Sequence, residues 1–183
     1  MMNLTTLDNY TLLGYDFRKP SDVPFTIDAC LWEQDDDLYQ RLVDTTCKEN
    51  VAQLLDGPVS VIEENASSDT IAVAFAVSPD GFRMMESMFK GRFLERISTP
   101  NLLLSRGWQL CGFDVADING YFSVFGIDSH APKLNIGTKL FKNEKDAAAL
   151  VESANKLYPT HSPFAVFSVL TYLPNRRQLS GAE

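Results

Sequence analysis

The chain has 183 residues, of which 45% are apolar, 11% aromatic and 22% charged. This length and composition are typical of one globular domain and exclude a wholly disordered chain. Acidic residues outnumber basic ones by 24 to 16, which gives a formal net charge of −8 at pH 7. Because a protein that binds nucleic acid through its phosphates needs a basic surface, we expect no direct nucleic-acid binding.

The negative charge is concentrated in the first third of the chain. Residues 1–64 contain 13 acidic and four basic side chains, a net charge of −9. Residues 65–107 have a net charge of +1, and residues 108–183 a net charge of 0. Such an asymmetry bears on binding partners and association rates rather than on fold.

Neither a secretory signal nor a membrane span is expected. The first 17 residues lack a basic start followed by an apolar run of secretory length. The longest apolar stretch, Ile71 to Val77, has seven residues, whereas a membrane-spanning helix needs roughly 20. The three cysteines, Cys30, Cys47 and Cys111, form no CxxC pair, so we expect buried free thiols without a disulfide or zinc site. These features predict a cytoplasmic protein without membrane contact.

The first half of the chain predicts three strands and two helices. Aromatic and aliphatic residues predict a strand over Tyr10–Phe17. Apolar residues at helical spacing then predict a helix over Leu38–Leu55, and Val59–Glu63 is a short strand candidate. Thr70–Val77 is apolar at nearly every position, which predicts a central strand. After it, Ser78-Pro79-Asp80 has the pattern of a helix start, and the apolar stripe of that second helix continues to Ile97.

The second half predicts a hairpin, a helix and a last strand. Trp108–Val115 and Tyr121–Ile127 are strand-like and flank Asn119-Gly120, a favoured turn pair. Asn143 is placed to cap a helix whose apolar face runs to Leu157. Phe164–Leu173 is the last predicted strand. No element is predicted for residues 101–106, and residues 129–138 are predicted to form a loop.

Hairpins mixed with helices predict one α+β domain over residues 1–183. Its expected architecture is a mixed, largely antiparallel sheet with helices packed on one face. Residues 174–183 are polar and are expected to form a frayed tail.

Four polar residues near the predicted hairpin could form a metal or acid–base site: Asp114, Asp117, Asp128 and His130. Aspartates at strand ends also satisfy turn backbone groups, which is the alternative interpretation. The second histidine, His161, lies in a predicted turn and is expected to be solvated. The sequence contains no GxSxG elbow and no glycine-rich phosphate loop. We therefore expect a protein that is not an enzyme, with no cofactor and no resident metal ion.

The densest acidic run is interleaved with large aromatic residues. Aspartates at a helix start cap free N–H groups, which is one interpretation of this run. Carboxylates beside aromatic side chains also form a surface that meets a basic partner, because the charges steer encounter and the aromatics act as anchors. The candidate partner-binding residues are Trp32, Glu33, Asp35, Asp36, Asp37, Tyr39, Asp44 and Glu49.

One segment resembles a known family. Ser105 to Asp117, SRGWQLCGFDVAD, together with the Tyr121-Phe122-Ser123 stretch, is similar to a segment of small bacterial immunity proteins. These are the antidotes encoded beside secreted polymorphic toxins, including those of contact-dependent growth inhibition. The similar part covers about a tenth of the chain, and the resemblance assigns a toxin contact to none of its residues.

The resemblance implies a cytosolic protein that binds one cognate toxin domain, usually a basic nuclease, and blocks its active site or substrate groove. Two other functions remain open from the residues. One is a small metal-dependent hydrolase built on the four polar residues near the hairpin. The other is an adaptor domain that binds a protein through an apolar strand edge. The oligomeric state is left open.

Overall fold

The computed structural model describes residues 7–20, 26–27, 54, 58–89, 100–119, 122–130 and 140–174, and in these ranges strands are interspersed with helices. The strands are β1 (Thr11–Arg18), β2 (Ile71–Val77), β3 (Gln109–Asp117) and β4 (Phe164–Tyr172). The helices are α1 (Val59–Asn65), α2 (Pro79–Phe89), α3 (Asn101–Ser105), α4 (Val124–His130) and α5 (Glu144–Leu157).

The four strands form one sheet in the order β1-β2-β4-β3, and every neighbouring pair is antiparallel. One row of the register runs from Tyr15 through Ala74 and Leu170 to Leu110. All seven residues of β2 are buried, which confirms the prediction that this apolar run is a central strand. The α+β class and the antiparallel sheet are also confirmed.

Alternating side chains divide the core into two clusters, one on each face of the sheet. The first-face cluster contains Ala72, Ala74 and Ala76 of β2 with Ala147 and Ala154 of α5, among others. The second-face cluster contains sheet residues together with residues that pack on them. The sheet residues include Val73, Phe75, Val77, Phe167 and Val169, and the packing residues include Met85, Ile27 and Leu54.

Helices cover both faces, rather than one face as expected. The helix α5 packs on the first face, whereas Met85 places α2 on the second. The physical reason is that β2 and β4 are apolar at consecutive positions, so leaving either face open would expose large side chains such as Phe75 to water.

Two predicted helix starts are confirmed in detail. The Ser78 hydroxyl accepts a hydrogen bond from Gly81 N at 3.4 Å, and α2 begins at Pro79. The Asn143 side chain accepts from Asp146 N at 2.9 Å, and α5 runs from Glu144 to Leu157. Both caps satisfy backbone N–H groups that the first turn of a helix leaves without partners.

The predicted strand at Val59–Glu63 is wrong, because these residues belong to α1. Val61 N and Ile62 N both donate to Pro58 O, at 3.0 and 3.4 Å, which closes a helical turn after the proline. Only Ile62 of this helix is buried. A short run with β-branched residues is compatible with a strand and with a helix, and here tertiary packing selects the helix.

The predicted hairpin is also wrong beyond its first residues. After β3 the chain reverses direction, and Ser123 forms an isolated antiparallel bridge with Ala116. The Ser123 hydroxyl then accepts from Phe125 N at 3.2 Å, and α4 begins at Val124 where a strand was predicted. Residues 101–105, for which the sequence predicts no element, form α3.

Several predictions fall outside the described residues and stay predictions. They are the helix over Leu38–Leu55, except for Leu54, the continuation of α2 to Ile97, and the tail from residue 175 onward. Among the helices that the structure describes, none is both long and apolar enough to cross a membrane.

Candidate functional site

The eight candidate partner-binding residues lie between two residues that are buried against the sheet. The eight themselves, Trp32, Glu33, Asp35, Asp36, Asp37, Tyr39, Asp44 and Glu49, lie outside the described residues. Ile27 precedes them and Leu54 follows them, and each is only 1% exposed within the second-face cluster. The two residues that flank the 26 residues 28–53 in sequence therefore belong to the same hydrophobic cluster.

We call residues 28–53 the acidic segment. It holds seven acidic and two basic side chains, a net charge of −5. More than half of the net charge of −8 of the whole chain is therefore carried between the two buried residues. Sequence reasoning located this charge but gave no indication that Ile27 and Leu54 share one cluster.

Asp114 connects Ile27, the residue that precedes the acidic segment, to the sheet. Its carboxylate is fully buried on β3. One oxygen, Oδ2, accepts from Ile27 N at 3.0 Å, and the other, Oδ1, accepts from the Ser123 hydroxyl at 2.6 Å. Three parts of the chain, around residues 27, 114 and 123, are thus joined at one carboxylate.

Asp117, the last residue of β3, holds that end of the strand to the chain that leads into β4. Its Oδ1 accepts from Asn119 N at 3.0 Å, which closes the turn after the strand. Its Oδ2 lies 3.3 Å from His161 Nδ1. The His161 side chain is 35% exposed and its ring packs edge-on against Phe122. His161 is therefore partly buried and paired, rather than simply solvated as expected.

Asp114 and Asp117 do not converge on a common site. Asp114 pairs with Phe167 of the second-face cluster, whereas Asp117 pairs with Phe164 of the first-face cluster. Side chains three residues apart on a strand project to opposite faces. The side chains of Asp128 and His130 lie outside the described ones. Within the described part of the chain, no three His, Cys, Asp or Glu residues gather in a way that could hold a metal ion.

A second polar cluster joins α1 to the start of β3. Glu63 Oε1 accepts from Arg106 Nε and from Trp108 Nε1, both at 2.9 Å, and Oε2 pairs with Arg106 Nη2. The hydrogen bond from Arg106, with a smaller contribution from Trp108, lowers the pKa of Glu63, although partial burial acts against this. Trp108 is buried between the rings of Tyr15 and Tyr172.

Sequence reasoning missed this cluster, since its members lie 43 and 45 residues apart and no local spacing connects them. It also missed the buried ion pair between Asp16 and Arg18 on β1. In that case a signal existed, because two residues separated by one position on a strand share a face.

Cys111 is exposed on the edge strand β3, not buried as expected. Its Sγ lies 3.2 Å from the Thr171 hydroxyl. Partial burial of the sulfur raises the pKa of the thiol. A reactive cysteine needs a lowered pKa, so this position does not have the chemistry of a nucleophile.

Comparison with known proteins yields no match to a family model, a curated protein or a solved structure. The strongest functional feature is therefore the one built from the residues: an acidic segment whose two flanking residues are buried on the second face of the sheet.

Proposed function

We propose that the chain is a cytosolic immunity-type protein that binds a cognate toxin domain and blocks its active site or substrate groove. The proposed partner is a basic nuclease domain. The observation that supports this most directly is that the acidic segment, with its net charge of −5, is flanked in sequence by Ile27 and Leu54, which are buried in one cluster.

Charge and aromatic content give the acidic segment two complementary roles. Its carboxylates would face the lysines and arginines with which a nuclease binds nucleic acid phosphates, and they would accelerate encounter. Trp32 and Tyr39 would pack at the centre of the interface, where large aromatic side chains contribute most of the binding energy.

Attachment at both ends favours this role over that of a loose acidic tail. A segment closed between two fixed points samples fewer conformations than a free terminus. Fixed flanking residues therefore lower the conformational-entropy cost of binding a partner, compared with a free acidic tail. Elsewhere, Asp114, Asp117 and Glu63 are engaged in hydrogen bonds that join parts of the fold.

Charge reversal of three neighbouring aspartates tests the proposal. The triple variant Asp35→Lys, Asp36→Lys, Asp37→Lys raises the formal net charge by 6, from −8 to −2. Cells that express the proposed cognate toxin domain should be protected by the wild-type chain and not by the triple variant. In vitro, the triple variant should bind that domain at least about tenfold more weakly.

A matched control separates the location of the charge from its total. The triple variant Glu64→Lys, Asp69→Lys, Glu86→Lys has the same net charge of −2 but leaves the acidic segment intact. It should protect cells as the wild type does. If both triple variants protect cells equally, the role of the acidic segment is contradicted. If the wild-type chain does not bind the toxin domain, the proposed function is contradicted.

A further inference from the structure

The two outer strands of the sheet, β1 and β3, share a short sequence pattern. Residues 12–17 of β1 have the sequence LLGYDF, and residues 110–115 of β3 have the sequence LCGFDV. A leucine, a glycine and an aspartate therefore recur at matching positions, with an aromatic residue between the glycine and the aspartate in each strand. A pattern this short also recurs by chance, so the pairing of the strands decides whether the two segments are equivalent.

The pairing of β1 with β2 repeats in the pairing of β3 with β4. Both pairs are antiparallel, and each of the seven register pairs between β1 and β2 has a counterpart between β3 and β4. The first and last of the seven are Thr11–Val77 and Arg18–Ile71, and their counterparts are Gln109–Thr171 and Ala116–Ala165. In both pairs the register shifts directly before the glycine of the shared pattern. A bulge is a local irregularity that bends and twists one strand, so its recurrence at the same position makes the two strand pairs equivalent.

The central strands place a pseudo-two-fold axis between the two strand pairs. β2 and β4 are antiparallel neighbours, and Phe75 pairs with Val169, which is its own counterpart in the matched register. Half a turn about an axis through this pair, perpendicular to the sheet, therefore exchanges β1 with β3 and β2 with β4. The faces are preserved as well, since Asp16 and Asp114 are both buried and both pair with residues of the second-face cluster.

The helix that precedes the second strand of each pair packs on the same face of the sheet. α1 precedes β2, and its buried residue Ile62 belongs to the first-face cluster. α5 precedes β4, and its buried residues Ala147 and Ala154 belong to the same cluster. The order strand, helix, strand is thus repeated together with the face that the helix covers.

We infer that the chain consists of two equivalent units, fused in one polypeptide and joined through β2 and β4 as the two copies in a symmetric dimer are joined. The first unit contains β1, α1 and β2, and the second contains β3, α5 and β4. In a two-fold dimer the same surface of each copy meets its equivalent, and the antiparallel contact of β2 with β4 has this form. The units differ in charge, because residues 1–99 have a net charge of −9 and residues 100–183 a net charge of +1.

Circular permutation of the full chain tests the division into two units. In the first permutant, Glu183 is joined to Met1 by a glycine–serine linker and the chain is opened before Pro100, between the units. Residues 78–108, 31 in number, connect β2 to β3, whereas 21 residues, 173–183 and 1–10, would connect β4 to β1. Because the pseudo-symmetry makes the two spans equal, a linker of about ten residues should suffice. Both units stay intact, so the urea midpoint of unfolding should lie within about 0.5 M of the wild-type value.

The matched control permutant has the same linker but is opened between Ser68 and Asp69, inside the first unit. These two residues are exposed, in a turn closed by hydrogen bonds between Ser67 and Thr70, and exposed turns ordinarily tolerate new termini. The control places β1 and β2 at opposite ends of the chain. Its urea midpoint should therefore be at least about 1 M below that of the first permutant, and its refolding about tenfold slower.

A higher midpoint and faster refolding for the first permutant than for the control support two units. Failure of the first permutant to fold, or a midpoint or refolding rate no higher than that of the control, would overturn the division. Neither result depends on the proposed function, since both are measured without a partner.

Discussion

At the scale of single residues, Glu63 is the clearest case of a side chain whose charge stabilises the fold. Its carboxylate accepts from Arg106 and Trp108, and these hydrogen bonds lower its pKa from the ordinary value of 4.5. A carboxyl group with a lowered folded-state pKa contributes stability that is fully present above the unfolded value. This contribution is lost as the pH falls through the folded value.

We expect Glu63→Gln to lower the free energy of unfolding by about 1 kcal/mol at pH 7. The difference from the wild type should shrink as the pH is lowered below 4.5, because protonation of Glu63 then weakens the same hydrogen bonds in the wild type. Urea unfolding at a series of pH values measures this. Glu64→Gln, at the exposed neighbour, should change little at any pH, and a Glu63→Gln deficit independent of pH would contradict the assignment.

Position 112 requires glycine for two reasons: its backbone conformation, and the close approach of neighbouring atoms to the place a Cβ would occupy. Its φ is +152°, and an added Cβ would lie 2.7 Å from Phe141 O and 2.9 Å from Leu140 Cβ. Gly112→Ala should therefore destabilise the protein by about 2–3 kcal/mol. Gly107→Ala is the control, since its φ is +94° but no atom lies within 4 Å of an added Cβ. If thermal or urea unfolding shows the same loss of stability for both variants, a role for the contact with Phe141 is contradicted.

The limits of sequence reasoning are plain at this scale. Asn143 was predicted as a cap because the donor it meets lies three residues away. The partners of Glu63 and Asp114 lie tens of residues away and are brought close only by the sheet. Residue types alone therefore allow a metal or acid–base site at Asp114, Asp117, Asp128 and His130, while strand parity places the first two carboxylates on opposite faces.

At the scale of elements, α5 depends on its first turn. Asn143 accepts from Asp146 N at 2.9 Å, and its own amide donates to the Asp146 carboxylate at 2.7 Å. Asn143→Ala should lower the free energy of unfolding by about 1 kcal/mol, whereas Asn143→Ser should retain most of the stability. Urea unfolding of both variants checks this. A loss as large for serine as for alanine would mean that capping is not the reason.

Elements with strong, long patterns were predicted correctly, and short ones were not. Thr70–Val77 and the helix after Asn143 each carry many consistent apolar positions. Val59–Glu63 and Tyr121–Ile127 are short runs of β-branched and aromatic residues that suit either structure. Pro58 and Ser123 each close a helical turn there, and Ser123 is itself held by the distant Asp114.

At the scale of the whole molecule, the sequence predicted the α+β class and the uneven charge but not how the two are connected. Periodicity identifies which residues are buried, but it does not identify which buried residues meet. Ile27 and Leu54 lie apart in sequence, and their shared place in the second-face cluster follows from the fold. That shared place is why the acidic segment, and not the net charge as such, carries the proposed function.

The most direct test of this claim is the association rate with the purified cognate toxin domain that we propose as the partner, measured from low to high ionic strength. For the wild type and for the Glu64→Lys, Asp69→Lys, Glu86→Lys control, the rate should fall steeply as salt screens the charges. For the Asp35→Lys, Asp36→Lys, Asp37→Lys variant, it should be at least about tenfold lower at low salt and nearly independent of salt. Identical rates and salt slopes for this variant and the wild type would contradict the account.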